Sequence, residues 1–174
     1  MVTQAKTTGL TVLFCGATGR FGALTASLLN RGHRVLAATR DLASPAAQRL
    51  REAGAHLVRA DFDDPASLRS AAAQADAVVA AGIAHAAGPA ADTRHGRNII
   101  DAARAARASH LVYITVAGAS QRTGVPIIDS KNAVEQHLRP AASRTPSSRR
   151  SISWITRGTR GTRRRWPPAA GPAQ

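Results

Sequence analysis

The sequence predicts an α/β fold, a three-layer doubly wound parallel sheet, and two observations predict it. Apolar runs of strand length and helical patterns alternate at every step between residues 10 and 138, the order that right-handed crossovers turn into a parallel sheet. The first strand stops at a glycine-rich turn, and a helix starts there at once. No internal repeat is evident beyond this alternation.

The first strand covers about residues 10–15, and Gly16, Gly19 and Gly22 follow it in a G-x-x-G-x-x-G spacing. Phe21, Leu24, Leu28 and Leu29 mark a helix over 19–31, closed by Gly32. Small residues at such a junction let the backbone approach a pyrophosphate, whose charge the helix N-terminus stabilises. Residues 34–39 read as the second strand. Its helix takes Ser44 as N-cap and Pro45 as first residue, and ends at Gly54. Residues 55–60 make the third strand, and Asp61-Phe62-Asp63-Asp64-Pro65 leads into a helix to Gln74. Residues 77–81 make the fourth strand, ended by Gly82. A longer helix over 92–107 carries Ile99, Ile100 and Ala103 on one face. Residues 111–115 form the fifth strand and 130–138 a further helix. Residues 1–9 are polar and expected to be disordered.

A chain of 174 residues, 44% hydrophobic and rich in alanine, suits one domain with a real core. One cysteine excludes an internal disulfide and suits a reducing, cytoplasmic setting. The N-terminus lacks the layout of a signal peptide. No apolar run nears the roughly 18 residues of a membrane span, so no membrane partner is expected. A net charge of +14 raises nucleic-acid binding. Its distribution argues otherwise: residues 139–174 hold 9 Arg and no acid, whereas residues 1–138 hold 15 Lys/Arg against 10 Asp/Glu. The body is only mildly basic.

Arg40 stands just past the second strand, where a dinucleotide fold meets the adenosine ribose. An arginine there suits a 2′-phosphate, as an acid would suit the 2′-OH, and Arg40 precedes Asp41, which favours NADP(H) over NAD(H). The alternative is an ordinary solvated loop charge. Asp61 and Phe62 follow the third strand, where they either bond and cover an adenine or form a turn and N-cap ahead of Pro65. Ala80, Ala81 and Gly82 end the fourth strand with small side chains that leave room for a cofactor. The six histidines do not pair at metal-ligand spacing, so no metal is assigned. Cys15 ends a buried strand and reads as core. Neither a G-x-S-x-G elbow nor a Walker lysine motif is present.

Several stretches then match one family in order and spacing. They are Val12 to Gly22, Gly32-His33-Arg34-Val35, Thr39-Arg40-Asp41, Ala60 to Leu68, His110-Leu111-Val112-Tyr113 and Asp129-Ser130-Lys131. Over residues 10–138 the chain resembles the NmrA-like family of atypical short-chain dehydrogenases/reductases. The resemblance implies a Rossmann fold binding NADP(H), with NAD(H) as the other option. It implies that Gly16, Thr18, Gly19, Arg20, Phe21 and Gly22 form the phosphate loop. Arg40 would meet the 2′-phosphate, Asp61 and Phe62 the adenine, and Lys131 the nicotinamide ribose. Family members include quinone- and other NADPH-dependent reductases, and redox-sensing regulators that bind cofactor without turnover. The Tyr-x-x-x-Lys pair of short-chain dehydrogenases is broken, because Ile127 stands four residues before Lys131 and cannot transfer a proton. The chain's one tyrosine, Tyr113, lies mid-strand and reads as structural. Lys131 is left as the catalytic candidate.

After Leu138 the pattern collapses. Residues 139–174 carry 9 Arg, 5 Pro and 5 Ser with little apolar periodicity, so a disordered tail is expected. The resemblance implies a sixth strand and a C-terminal substrate lobe, neither of which is visible, so the sheet is expected to be incomplete. The tail reads as truncated or frame-shifted: shifting the frame from Arg139 permits Ala-Ser-Gly-Leu-Pro-Tyr-Thr-Val-Leu, which resembles what relatives carry there. The expected function is a reductase moving hydride from NADPH to a quinone-like or other small electrophile. A non-catalytic NADP(H) sensor acting through a partner protein is the alternative. Nucleic-acid binding by the tail is set aside, since two tryptophans in 36 residues offer few stacking surfaces.

Overall fold

The computed structural model describes residues 9–81, 87–116, 119, 123–142 and 151–157. Eleven elements alternate along them: β1 (Thr11–Cys15), α1 (Ala23–Asn30), β2 (Arg34–Thr39), α2 (Pro45–Glu52), β3 (His56–Arg59), α3 (Pro65–Ala72), β4 (Ala77–Ala80), α4 (Gly88–Ala105), β5 (His110–Val116), α5 (Pro126–Ala142) and β6 (Ser151–Arg157). The strands form one parallel sheet in the order β3-β2-β1-β4-β5-β6. The chain therefore winds outward from β1 to one edge, returns to the centre, and winds out to the other. This is the doubly wound, Rossmann-type sheet that the β/α alternation predicts.

Side-chain alternation along the strands sorts the core into two layers. Leu13, Cys15, Leu36, Ala38, Val78, Ala80, Leu111 and Tyr113 face a cluster with Leu68, Ile99, Ile100, Val134 and Leu138 from α3, α4 and α5. Phe14, Val35 and Ala37 face the other way, towards Leu50 of α2 and Leu28 and Leu29 of α1. Each fully buried large side chain, such as Phe14, Leu68 or Ile100, contributes about 1.5–3 kcal/mol by leaving water. Cys15 is fully buried in this core, as its position predicts.

The caps explain where helices start. Ser44 Oγ accepts from the Ala47 amide, and Asp64 accepts from the Ala66 amide, each ahead of a proline in the first turn. The first helix begins later than its apolar pattern suggests, at Ala23. Residues 16–22 are taken up by two successive turns, in which the amide of Gly19 donates to Gly16 O and that of Gly22 to Gly19 O. Two helices extend beyond their predicted ends: α4 begins at Gly88 with Pro89 in its first turn, and α5 begins at Pro126, behind a Thr123–Asp129 cap in which Asp129 accepts from the amides of Thr123 and Gly124.

The expectation of no sixth strand is corrected. Ser151–Arg157 lies parallel to β5, pairing Leu111 with Ile152 and Tyr113 with Trp154. The physical reason is local: Ile152, Trp154, Ile155 and Thr156 are β-branched or aromatic, and β5 otherwise ends the sheet with an unpaired edge. Disorder is likewise corrected for Arg139–Ala142, which continue α5. The disorder expected for the rest of the tail and for residues 1–8 falls outside the described residues, as does Gly82. No helix among the described residues is long and apolar enough to cross a membrane.

Candidate functional site

The carboxyl ends of β1, β2, β3 and β5 open into one cavity of about 780 Å³. The position follows from topology: α1 and α3 leave β1 and β3 on opposite faces, so a crevice opens where the strand order reverses. Of the residues the sequence singles out, the cavity brings together Gly16, Thr18, Arg20, Phe21, Arg40, Asp61, Phe62 and Lys131. Gly19, Gly22, Ala80 and Ala81 do not line it.

Ala81 and Gly22 instead pack against the turn that lines it. Gly16 has φ +91, and a Cβ there would stand 1.9 Å from Ala81 O. Ala81 donates its amide to Cys15 O, so the ends of β1 and β4 are closed on each other and the turn has room only for hydrogen. Gly22 is under similar pressure: a Cβ would lie 2.6 Å from Ala17 O. Among the described residues the amides of Thr18 and Arg20 have no hydrogen-bond partner, and both residues line the cavity. Such amides at a helix start suit an anion.

Arg40 is exposed at the end of β2. The acid beside it is already engaged, since Asp41 Oδ1 accepts from the Ala43 amide at 2.8 Å. Arg40 itself forms no ion pair with a described residue. Asp61 and Phe62 form the turn ahead of Pro65 that is one of the two readings the sequence leaves open. Asp61 Oδ1 accepts from the Asp63 amide at 3.0 Å, a turn ahead of α3, while the N-cap itself is Asp64. The same two residues also line the cavity.

The loop after β3 is fastened to α4. Asn98 Nδ2 donates to Phe62 O at 2.9 Å, and Arg94 pairs with Asp63 at 2.7 Å. Arg94 first, and His95 second, hold the Asp63 carboxyl below its ordinary value. His95 lines the cavity between these contacts, its ring edge-on to Phe62 with centroids 5.9 Å apart. Thr115 of β5 also lines the cavity, and its Oγ1 is buried without a partner.

Lys131 is almost fully buried, with Nζ 2.5 Å from Oδ1 of the fully buried Asp92. Ser130 Oγ lies 2.8 Å from both Asp92 Oδ2 and Ile127 O, and its single proton favours the carboxylate. Tyr113 lies under this pair, with Lys131 Nζ 6.0 Å from its ring centroid. Its hydroxyl is buried without a partner, and burial followed by the charges of Asp92 and Glu135 raises its pKa. It does not line the cavity. Burial also pushes the Cys15 thiol up to about 12. Sequence alone does not single out Asp92, His95 and Thr115. Asp92 and His95 do carry a sequence signal: they fall on the same helical stripe as Ile99, Ile100 and Ala103, where a polar residue must be buried.

A model of the NmrA-like family matches residues 8–148. No curated protein matches the sequence. Among solved structures, the triphenylmethane reductase of Citrobacter sp., complexed with NADP(H), superposes with a TM-score of 0.67 at 21% identity, covering 83% of this chain and 48% of that one. An NADPH-dependent quinone oxidoreductase from Escherichia coli, complexed with NADPH, gives 0.62 at 22%, covering 82% and 46%. NmrA, a negative transcriptional regulator, gives 0.64 at 20%, covering 84% and 45%. The chain spans about half the length of each of these structures, and the likeness establishes a shared fold.

Proposed function

Since this chain belongs to the NmrA-like family, we propose that it binds NADP(H) in the cavity at the carboxyl edge of its sheet and follows the reductase plan of that family. One observation carries the reading: a single cavity joins the glycine turn, Arg40, the Asp61–Phe62 pair and Lys131. The residues fit a dinucleotide. The Gly16 turn admits no side chain, the amides of Thr18 and Arg20 suit a diphosphate, and Arg40 suits a 2′-phosphate. A volume of about 780 Å³ falls within the ~300–1,000 Å³ usual for cofactor sites. Bound there, NADPH would supply a hydride. Asp61 and Phe62 would hold the adenine and Lys131 the nicotinamide ribose.

The acceptor class follows from the proton inventory. Ile127 cannot transfer a proton, and Tyr113 is turned away from the cavity with a raised pKa. Lys131 is committed to Asp92. None of these three therefore takes the place of the tyrosine acid, which favours an acceptor whose reduced form gains its proton from water, such as a quinone-like electrophile. The same inventory favours a second reading, a sensor that binds NADP(H) without turnover and acts through a partner protein. The structural likeness to a transcriptional regulator accords with it.

Titration of the purified chain with NADPH and NADH by fluorescence or calorimetry tests the binding. NADPH should bind more tightly. Arg40→Ala should weaken NADPH about 10- to 100-fold, the worth of a hydrogen bond to a charged group, and leave NADH nearly unchanged. Failure of wild type to bind either dinucleotide would sink the proposal. Turnover against a panel of quinones then separates reductase from sensor.

A further inference from the structure

We infer that Asp92 is a positioning residue, which holds the Lys131 ammonium at the cavity wall for the nicotinamide ribose. The inference deepens the dinucleotide reading above and rests on it. Lys131 lines the cavity and Asp92 does not. Asp92 is fully buried, so it acts on a ligand only through the side chain it grips.

The grip is close on both sides. Asp92 Oδ1 accepts from Lys131 Nζ at 2.5 Å, and Oδ2 accepts from Ser130 Oγ at 2.8 Å. Two consecutive residues of α5 thus occupy both oxygens of one carboxylate on α4. Thr93, the next residue of α4, adds a hydrogen bond from its Oγ1 to Ser130 O. One turn further along, Gly96 lets α5 approach: a Cβ there would stand 2.7 Å from a Val134 methyl. The two helices are therefore pressed together at the turn that carries Lys131, and the carboxylate has little room to shift.

Stability alone does not account for such a pair, since an apolar pair of similar size often serves a buried site as well. Its place at a cavity wall points to a use. An ammonium carries three donors, and Asp92 takes one of them. The others can serve a ligand in the cavity that Lys131 lines. A ribose diol offers acceptor oxygens, and donors on a charged group bind them about twice as strongly as neutral ones. An unpaired ammonium in a nearly closed site gives up its proton or swings towards water. Asp92 prevents both, which also fits Lys131 to hold a ribose rather than to pass on a proton.

The test compares two ligands by calorimetry on the full chain. NADPH carries the nicotinamide half, whereas adenosine 2′,5′-bisphosphate keeps the adenine and the 2′-phosphate and lacks that half. Wild type should bind NADPH more tightly. Asp92→Asn should weaken NADPH by about three- to tenfold, the gap between a charged and a neutral donor, and leave the bisphosphate unchanged. A merely structural role would weaken both ligands together. Lys131→Met should show the same selective loss, and adding Asp92→Asn to it should cost NADPH nothing further. Ser130→Ala leaves both charges in place and frees one carboxylate oxygen. It should move the ratio in the same direction by about two- to threefold, the lower part of a hydrogen bond's worth, and decides the matter if melting curves show Asp92→Asn unfolded. An unchanged ratio in the folded variants, or an equal loss of both ligands, overturns the role of Asp92 and leaves the dinucleotide proposal standing. Wild type binding neither ligand overturns both.

Discussion

Separating Asp92 from Lys131 is the sharpest perturbation the structure offers. Asp92 is fully buried and the Lys131 side chain is 9% exposed, so neither charge can recover much hydration if its partner is lost. Removing one member of a buried pair leaves an uncompensated charge, and such changes cost about 3–5 kcal/mol. Asp92→Asn preserves shape and the Ser130 contact but strands the ammonium, and Lys131→Met strands the carboxylate. The double variant removes both charges together and should lie closer to wild type than the sum of the single losses, because no uncompensated charge is left buried. The coupling energy should therefore exceed about 2 kcal/mol, far above the ~0.3–0.5 kcal/mol by which independent sites depart from additivity. Urea denaturation followed by circular dichroism measures all four corners, with an unchanged slope as the check on two-state behaviour. Additive single effects, or a loss below about 1 kcal/mol for Asp92→Asn, would show that the two groups are not joined in solution as the structure has them.

Four further outcomes are expected. Gly16→Ala should destabilise by at least about 2 kcal/mol in denaturant titration, since it combines a positive φ with a methyl 1.9 Å from a backbone oxygen. Gly96→Ala places a Cβ 2.7 and 2.8 Å from the Val134 methyls; it should lower stability by about 1–3 kcal/mol, and Val134→Ala in the same chain should recover part of that. Arg107 holds φ 54 just after α4, so Arg107→Gly should raise the melting temperature, by an amount equivalent to about 0.5–1 kcal/mol. The Cys15 thiol, raised by burial from 9.0 to about 12, keeps its proton in the folded chain after the unfolded chain has lost it. Its contribution to stability is thus full below pH 9 and declines between pH 9 and 12, by about 1.4 kcal/mol per pH unit; Cys15→Ala should show a correspondingly shallower alkaline loss.

Local rules carried the reading of the sheet. Proline after an N-cap marked α2 and α3, and runs such as Val35-Leu36-Ala37-Ala38 could be nothing but buried strand. The glycine turn and Arg40 were legible because each acts through its own backbone position or charge. His95, Asp92 and Thr115 were not, because their importance lies in what stands opposite them across the core, and that depends on how α4 and α5 pack. Composition hid β6: arginine, serine and proline dominate the tail, and the four β-branched or aromatic residues among the seven of this strand were averaged away. The open edge of β5 that recruits them is a property of the assembled sheet.

The strand order has a consequence for assembly. Thr11 pairs with Arg34 across a short stretch of chain, but Val12 meets Ala77 only after the polypeptide has run to the far edge and returned. Closing the longer loop carries the greater entropic cost, so the β1–β3 half is expected to acquire protection from amide exchange before the β4–β5 half docks. Arg40 and Asp61 come from the early half, and Thr115 and Lys131 from the late one. A molecule long enough to touch all four has no complete grip until both halves have met. Its binding therefore stabilises only the finished protein, by about 2.7 kcal/mol at a hundredfold excess over its dissociation constant, and ligand occupancy becomes a direct gauge of how much of the population has completed the fold.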